Sequence, residues 1–536
     1  MTTAQPTPAM PPEMHWSRWG DPAQAGPLPE SAFALVDAFL GTADTPAVAP
    51  EDVRLSEPLA DDLVAELAGI VGAGHVLLDH DTRLHRTRGK STPDLLRLRH
   101  GDGLDSPDAV VRPGSHDEVA AVIAWCVRRN VALVPFGGGT SVVGGLAARR
   151  DGFAGVISLD LIRFDRLVEV DHESMTAVLE PGLRGPAAEA LLAAEGLTLG
   201  HFPQSFEYAT IGGFAVTRSS GQSSAGYGRF DSLVVGLTVA TPQGTLELGT
   251  SPANAAGPDL RELVMGSEGA FGVVTAVRVR VRRLPAVKVY ESWHFGSFAE
   301  GATAMRTLAQ AGLLPTVIRL SDEAETGINL ARPAEVGETG AAEPAGGCLM
   351  IAGYEGTQES VDARRAACTA LLEGLGATFL GEDGGRAWAE GRFHGPYLRD
   401  SLLDVGVLVD TLETVTFWSN LQRVYDAVKQ ALTGALGEGA IVLCHISHVY
   451  ETGASLYFTA AARQGDDPVA QWLAAKAAAS DAMVHHGASI THHHAVGQDH
   501  KPWLAEEIGP VGVMILRAVK ERLDPTGVLN PGVLIP

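Results

Sequence analysis

The chain of 536 residues is 45% apolar, enough to bury two substantial cores, which excludes one small domain. Its 40 basic against 64 acidic residues leave a formal charge of -24, which repels polyanions, so nucleic acid is not an expected partner. Cys126, Cys348, Cys368 and Cys444 lie far apart and form no CxxC pair, so neither a disulfide framework nor a thiolate zinc site is expected, and a reducing cytoplasm fits.

Residues 1–30 are rich in Pro and Ala and lack a basic start followed by an apolar run. No run of about eighteen apolar residues occurs anywhere, so the chain is expected to be soluble, with peripheral contact at a membrane still open. Residues 31–100 read as mainly helical, with Glu51–Ile70 carrying apolar positions at mixed three- and four-residue spacing. From about Asp105 short apolar runs alternate with helices. Ala109–Arg112 predicts a strand, and Ser115 with Glu118 forms a capping box that opens a helix to about Arg129. Strands are expected at Val131–Pro135, Gly155–Leu159, Thr176–Leu179, Val234–Ala240 and Val273–Val281, with a helix at Pro186–Ala194. A second alternating region follows from about residue 286, interrupted by a low-complexity loop from Ala331 to Gly347 that reads as a surface excursion. From about Asp466 the chain turns helical again.

Pro135-Phe136-Gly137-Gly138-Gly139-Thr140-Ser141 closes a buried strand and is followed by Gly144-Gly145. Consecutive glycines allow positive φ and close approach of a ligand, and their N–H groups can converge on a pyrophosphate. A glycine triplet alone is as readily a tight surface turn. It is neither a Rossmann fingerprint nor a P-loop, since no glycine follows Gly139 at three-residue spacing and no Lys-Ser/Thr pair follows. Two further segments mix glycines with hydroxyl groups. One is Gln204-Ser205-Phe206-Glu207-Tyr208-Ala209-Thr210, leading into Thr217-Arg218-Ser219-Ser220; the other is Glu268-Gly269-Ala270-Phe271-Gly272-Val273-Val274. Each by itself also reads as an ordinary loop.

As a set, in this order and at these separations, the three segments resemble the FAD-binding domain of the vanillyl-alcohol oxidase type of flavoproteins. The resemblance runs from about Asp105 to Pro285. It implies that Pro135 to Ser141 wrap the FAD pyrophosphate and that Gln204 to Thr210, Thr217 to Ser220 and Glu268 to Val274 contact the diphosphate, ribose and isoalloxazine. Several relatives tether flavin through a histidine in the first loop; this chain has none there, so dissociable FAD is expected.

Thr491-His492-His493-His494-Ala495-Val496-Gly497 holds three consecutive imidazoles, which titrate near neutrality and can move protons, donate to a phosphate or bind a metal. A solvated histidine-rich loop is the plainer reading. A metal site is not expected, because three adjacent histidines do not easily all face one ion and no cysteine or carboxylate lies at ligand spacing around them. Tyr457 sits in the apolar stretch Gly453-Ala454-Ser455-Leu456-Tyr457-Phe458-Thr459, where a tyrosine is more often a core residue with one partner. Arg399 and Arg319, flanked by apolar residues, are either ordinary ion-pair residues or anchors for a bound phosphate or carboxylate.

The His-His-His run, the Tyr457 stretch, Tyr397-Leu398-Arg399-Asp400, Ile318-Arg319-Leu320 and Met14-His15-Trp16-Ser17-Arg18-Trp19-Gly20 together resemble the alkyldihydroxyacetonephosphate synthase family over nearly the whole chain. The resemblance implies exchange of the acyl group of acyl-dihydroxyacetone phosphate for a fatty alcohol through a flavin–substrate adduct, without net oxidation. It implies that Tyr457 is the catalytic acid/base, that His492, His493 and His494 assist proton transfer and hold polar groups, that Arg399 binds the substrate phosphate and that Arg319 shapes the site. A homodimer is also implied. The architecture expected is α+β, with a helical extension at 1–104, a two-subdomain FAD-binding domain at 105–285, an α+β cap at 286–480 and a C-terminal segment at 481–536 completing the active site. The chain departs from the family at Gln204, usually acidic, and at Ala495, usually glycine. The peroxisomal targeting segment of some members is not seen, so a cytoplasmic protein is expected. The main rival is a flavin-dependent D-2-hydroxy-acid dehydrogenase, which shares the FAD domain. Such enzymes carry a His-x-Gly-Asp-Gly-Asn-x-His segment and a Glu-His pair that hold a divalent metal and the hydroxy-acid carboxylate. This chain keeps His448 and His494, but Tyr457 stands near the second histidine's place and His493 replaces the glutamate, so that metal site is expected to be broken.

Overall fold

The computed structural model describes residues 12–147, 149–328 and 346–536. Nearly all of the predicted Ala331–Gly347 excursion lies outside the described residues. No helix among them is long and apolar enough to cross a membrane.

A four-stranded sheet runs in the order Val76–Leu77, Ala109–Val111, Gly155–Asp160, Val131–Phe136, with its last three strands parallel. Two of these strands are buried at every position, as a sheet covered on both faces requires, which explains their mostly apolar spelling. The helix His116–Arg129 crosses over between them. Ser115 caps it by accepting from the Glu118 N–H, and Asn130 in the left-handed region ends it. The Glu118 carboxylate reaches back to the Gly114 N–H rather than to the capping residue itself. A second, antiparallel sheet follows in the order Gly244–Leu248, Val234–Thr241, Val273–Arg280, Thr176–Leu179, Leu167–Asp171.

The expected helix over Glu51–Ile70 is shorter than predicted. It spans Asp61–Val71, while Arg54–Leu55 pairs in parallel with Asp102–Gly103. Pro58 cannot donate to a helical ladder, and Ser56 ties itself to Ser106 and Asp108, so the helix cannot begin earlier. Within the N-terminal extension Val76–Leu77 is an edge strand of the first sheet, so this segment is woven into that layer.

Residues beyond 286 build a seven-stranded antiparallel sheet in the order Thr378–Gly381, Val287–Phe295, Cys348–Gly356, Val317–Ser321, Ile441–Ile446, Gly453–Arg463, Val407–Phe417. Helices Phe298–Gln310, Gln358–Gly374, Leu421–Leu436 and Pro468–His485 pack on one face over the largest core. Strand alternation decides which residues face them. Leu408, Leu412, Cys444, Leu456, Phe458 and Ala460 enter that core, while Val409, Thr411, Leu443, Tyr457 and Thr459 point to the opposite face. That opposite face is the wall of a cavity.

Candidate active site

The cavity, of about 440 Å³, lies between the face of the seven-stranded sheet and the glycine-bearing segments of the two smaller sheets. Its first wall contains Pro135 to Ser141, Gln204, Ser205, Ala209, Thr210, Thr217, Ser219, Ser220, Glu268, Gly269, Gly272, Val273 and Val274. The glycine loop is pressed against the middle segment. A Cβ on Gly138 would collide with the Tyr208 carbonyl and one on Gly137 with the Thr210 hydroxyl, while Gly139 takes φ +70°. Among the described residues, the N–H groups of Gly138, Gly139 and Thr140 find no protein acceptor. Unpaired backbone donors converging on a cavity fit the diphosphate of FAD.

Six of the predicted cofactor residues do not line this cavity. Phe206 packs on Phe202 and Phe393; Tyr208 is buried edge-on against Trp19; Ala270 and Phe271 belong to a core with the C-terminal segment. Arg218 turns to Asp231 and Glu262, and Glu207 is likewise outside the lining. In each segment some side chains serve packing while their neighbours meet the ligand space, a division that residue type alone does not reveal.

The second wall is a row of side chains on adjacent strands. Glu413 lies directly opposite Tyr457, and Tyr457 directly opposite His445, so the three share one face. The Tyr457 ring is sandwiched between two imidazoles, with His445 stacked at 4.8 Å and His493 at 5.9 Å between centroids, and His494 meets its edge at 5.6 Å. Burial pushes the Tyr457 hydroxyl up to about 12, so it is a protonated donor at neutral pH. Arg319 also faces the cavity. It donates to the buried Glu325 carboxylate and to His445 Nδ1 at 3.0 Å, and His445 Nδ1 lies 3.1 Å from Glu325. Burial would raise Glu325, but Arg319 and His445 outweigh it and hold the carboxyl at about 2.

Arg399 lines the same cavity. Its Nη1 donates to the Lys90 carbonyl at 2.6 Å and its Nε to Asp400 at 2.9 Å, while Nη2, ion-paired to Asp400, has no hydrogen-bond partner. Lys90, also in the cavity wall, is pushed down to about 7 by burial and donates to the carbonyls of His15 and Trp16, fastening the N-terminal segment over the site.

The histidine run is organised from beneath by Glu413, which is fully buried. Its carboxylate accepts the N–H groups of His492, His493 and His494 and the Thr491 hydroxyl. Burial opposes the charge, yet the carboxyl stands well below its usual range beside the imidazoles and the Thr491 hydroxyl. With the imidazoles themselves neutral, the amide and hydroxyl donors are what hold the negative charge. His493 and His494 face the cavity. His492 turns away from it, with its Nε2 2.6 Å from the Tyr450 hydroxyl. The next turn is held by Glu268, which accepts from the N–H groups of Val496 and Gly497.

Glu413, Glu325, His445 and Lys90 belong to no motif and were not among the residues expected from sequence. Asp410 and Glu413, carboxylates inside an otherwise apolar strand, were the available signal, because a charge there must find buried donors.

Eight histidines, His15, His201, His445, His448, His492, His493, His494 and His500, titrate below the ordinary range, with burial the first cause for each. Their folded pKa values lie under the unfolded value, so below about pH 6.5 the unfolded chain binds more protons and stability is lost as pH falls. Asp94 and Glu268, raised by burial to about 6 and 7, act in the opposite sense, as do Asp105, Glu189, Glu207 and Asp410, which burial also raises, but they are six groups against eight. The melting temperature is therefore expected to drop as pH is lowered from 7 to 5.5, each imidazole contributing up to about 1.4 kcal/mol per pH unit. A flat or rising melting curve series over that interval would contradict the buried, neutral state of these rings.

Residues 107–249 match the FAD binding domain family, and residues 284–534 match the C-terminal domain of FAD linked oxidases. The chain is 34% identical over 519 residues to the alkyldihydroxyacetonephosphate synthase of Trypanosoma brucei brucei, covering 92% of this chain and 84% of that protein. It is 33% identical over 514 residues to the alkyldihydroxyacetonephosphate synthase of Dictyostelium discoideum, with the same coverages. A solved alkyldihydroxyacetonephosphate synthase structure superposes with a TM-score of 0.84 at 30% identity, covering 97% of this chain and 98% of the other.

Proposed function

The chain belongs to the alkyldihydroxyacetonephosphate synthase family, and from that premise we propose that it exchanges the acyl chain of acyl-dihydroxyacetone phosphate for a fatty alcohol, with FAD held non-covalently. The observation that carries this reading is the Tyr457 ring, set between His445 and His493 on the wall that faces the three glycine-bearing segments. Bound FAD supplies an electrophilic centre for the substrate carbon, and no net redox change results.

The remaining work falls to this chain's own groups. Tyr457 and the neutral imidazoles beside it are the acid/base set: an imidazole takes up the phenol's proton as the substrate carbon gives one up, and the proton returns to carbon once the acyl group has left as a fatty acid and the fatty alcohol has taken its place. His493 and His494 hold the polar oxygens of the ketone, and His492 supports them from behind. Arg399 anchors the phosphate, with Nη2, ion-paired to Asp400 but without a hydrogen-bond partner, as the donor turned to it. Arg319 keeps His445 aligned under Tyr457. The apolar end of the cavity, with Ala32, Leu35, Val36, Leu40, Val407 and Ala461 in its wall, suits an aliphatic chain. In this scheme residues 105–285 hold FAD, 286–480 hold substrate and 481–536 complete the site.

The helix Glu30–Leu40 turns Ala32, Val36 and Leu40 inward and leaves Phe33 and Phe39 exposed, which supports docking at a membrane surface where such substrates reside. Exposed Val511, Met514 and Ile515 support a homodimer. A cytoplasmic setting is supported by four cysteines that are all unpaired.

The test is spectral. Adding acyl-dihydroxyacetone phosphate to the FAD-loaded protein is expected to bleach the flavin band without electrons appearing in any acceptor, and a fatty alcohol is expected to restore it. Anaerobic reduction by a D-2-hydroxy acid, with no response to the ketone phosphate, would replace this reading by the dehydrogenase alternative.

A further inference from the structure

We propose that His448, His492 and His493 form a binding site for one divalent transition-metal ion of the Zn²⁺ class, with an open coordination position directed into the cavity. Two of the three adjacent imidazoles are brought toward one point by how the run is folded, while His494 stands outside the set. Pulled down by its N–H groups onto Glu413, the chain presents the His492 and His493 rings at 82° to each other, and their Nδ1 atoms come within 3.0 Å. The third imidazole comes from elsewhere: His448, in the turn between strands Ile441–Ile446 and Gly453–Arg463, is centred 4.9 Å from His492 and 5.0 Å from His493. One nitrogen from each of the three rings lies within 4.8 Å of the others. Tetrahedral ligands at Zn–N distances of about 2.0–2.1 Å would stand roughly 3.3 Å apart, so small ring rotations close the set on one ion.

The surroundings have the form of a ligand-orienting shell. His448 Nδ1 is 3.0 Å from the Ser220 hydroxyl and 2.8 Å from that of Ser224, and His492 Nε2 is 2.6 Å from the Tyr450 hydroxyl. When these hydroxyls accept the outer N–H of each ring, the opposite nitrogens are left as lone pairs turned toward the common point. The Glu413 carboxylate, 3.8 Å from His493 Nδ1, supplies negative charge beside the ion. The hydroxyls and Glu413 are fixed by the fold, so the trio is preorganised. His448 and His493 both line the cavity, and the fourth position therefore opens toward the space beside Tyr457. An oxygen ligand suits it: water, or the carbonyl or hydroxyl oxygen of a bound substrate. A three-imidazole set favours Zn²⁺, Co²⁺, Ni²⁺ or Cu²⁺ over Mg²⁺ and Ca²⁺, which prefer oxygen donors. This inference stands on the geometry of the imidazoles and does not depend on which reaction the cavity serves.

The FAD-loaded full chain, stripped with a chelator and dialysed, would be titrated with Zn²⁺ by calorimetry and with Co²⁺ by visible difference spectroscopy. One ion per chain is expected, with the ligand-field bands of low-coordinate Co²⁺. His448→Ala and His493→Ala should each weaken binding by about 100-fold or more. His486→Ala, in the neighbouring His485–His486 pair at the end of the helix Pro468–His485, should leave it unchanged. X-ray absorption of the Zn²⁺-loaded wild-type protein, expected to report three imidazole nitrogens, requires no variant and decides the matter if a variant fails to fold. Absence of stoichiometric uptake, uptake indifferent to His448→Ala, or loss of uptake in His486→Ala would overturn the proposal. Flavin bleaching by the ketone phosphate in the stripped protein tests the reaction separately, so either idea can fail while the other stands.

Discussion

Tyr457→Phe is expected to lower kcat by about 10²- to 10⁴-fold, the range over which a positioned proton donor acts, while FAD content and melting temperature stay close to wild type. The substitution removes one oxygen and keeps the ring. The stacking on His445 and His493 survives, and so does the packing of the strand Gly453–Arg463, whose opposite face carries Leu456 and Phe458 into the core. The oxygen that is lost faces the cavity, and burial keeps it protonated up to about pH 12. The separation of effects is what matters. Steady-state kinetics, the flavin absorbance ratio and a thermal melt on the same preparation would show it, and a parallel loss of flavin and stability would make Tyr457 structural.

Glu413→Ala is expected to cost both stability and activity. The carboxylate, itself fully buried, is the common acceptor of three consecutive N–H groups and one hydroxyl. Removing it leaves the three N–H groups unpaired, at about 1–3 kcal/mol for each buried group left without a partner, so a total loss of at least about 3 kcal/mol follows. The run would then be free to swing away from Tyr457, and turnover should fall by about 10²-fold or more even at temperatures where the protein remains folded, as expected when catalytic groups are misplaced by an ångström. Denaturant unfolding checks the first part. The second is checked by kinetics at low temperature on protein shown to retain FAD. A variant with wild-type unfolding and wild-type turnover would mean that the histidine run holds its shape without this anchor.

Much of the fold was legible because its signals are local. The capping pair Ser115 and Glu118, the mostly apolar spelling of Gly155–Leu159 and the apolar stretch around Tyr457 each act within a few residues and survive in the structure. The expected helix over Glu51–Ile70 was misplaced because Ser56 found partners about fifty residues away that apolar spacing cannot reveal. The site shows the same division. Gly137 and Gly138 could be recognised because only a residue without Cβ tolerates such close backbone contact. Phe206, Tyr208, Ala270 and Phe271 sit in the same segments but pack elsewhere, since which way a loop side chain turns is set by what it meets.

The chain's spelling by itself offered three glycine-bearing stretches suited to an anionic ligand, an apolar stretch around Tyr457 and three consecutive imidazoles. Only the tertiary structure decided that Glu413 sits under those imidazoles, 79 residues away in sequence from the first of them, that His445 and Glu325 support the tyrosine and Arg319, and that His448 closes a trio with His492 and His493. The physical reason is one of range. Backbone conformation and alternation are dictated by neighbours in sequence, whereas a buried charge or ring nitrogen takes whichever partner the packing of distant strands brings within about 3 Å.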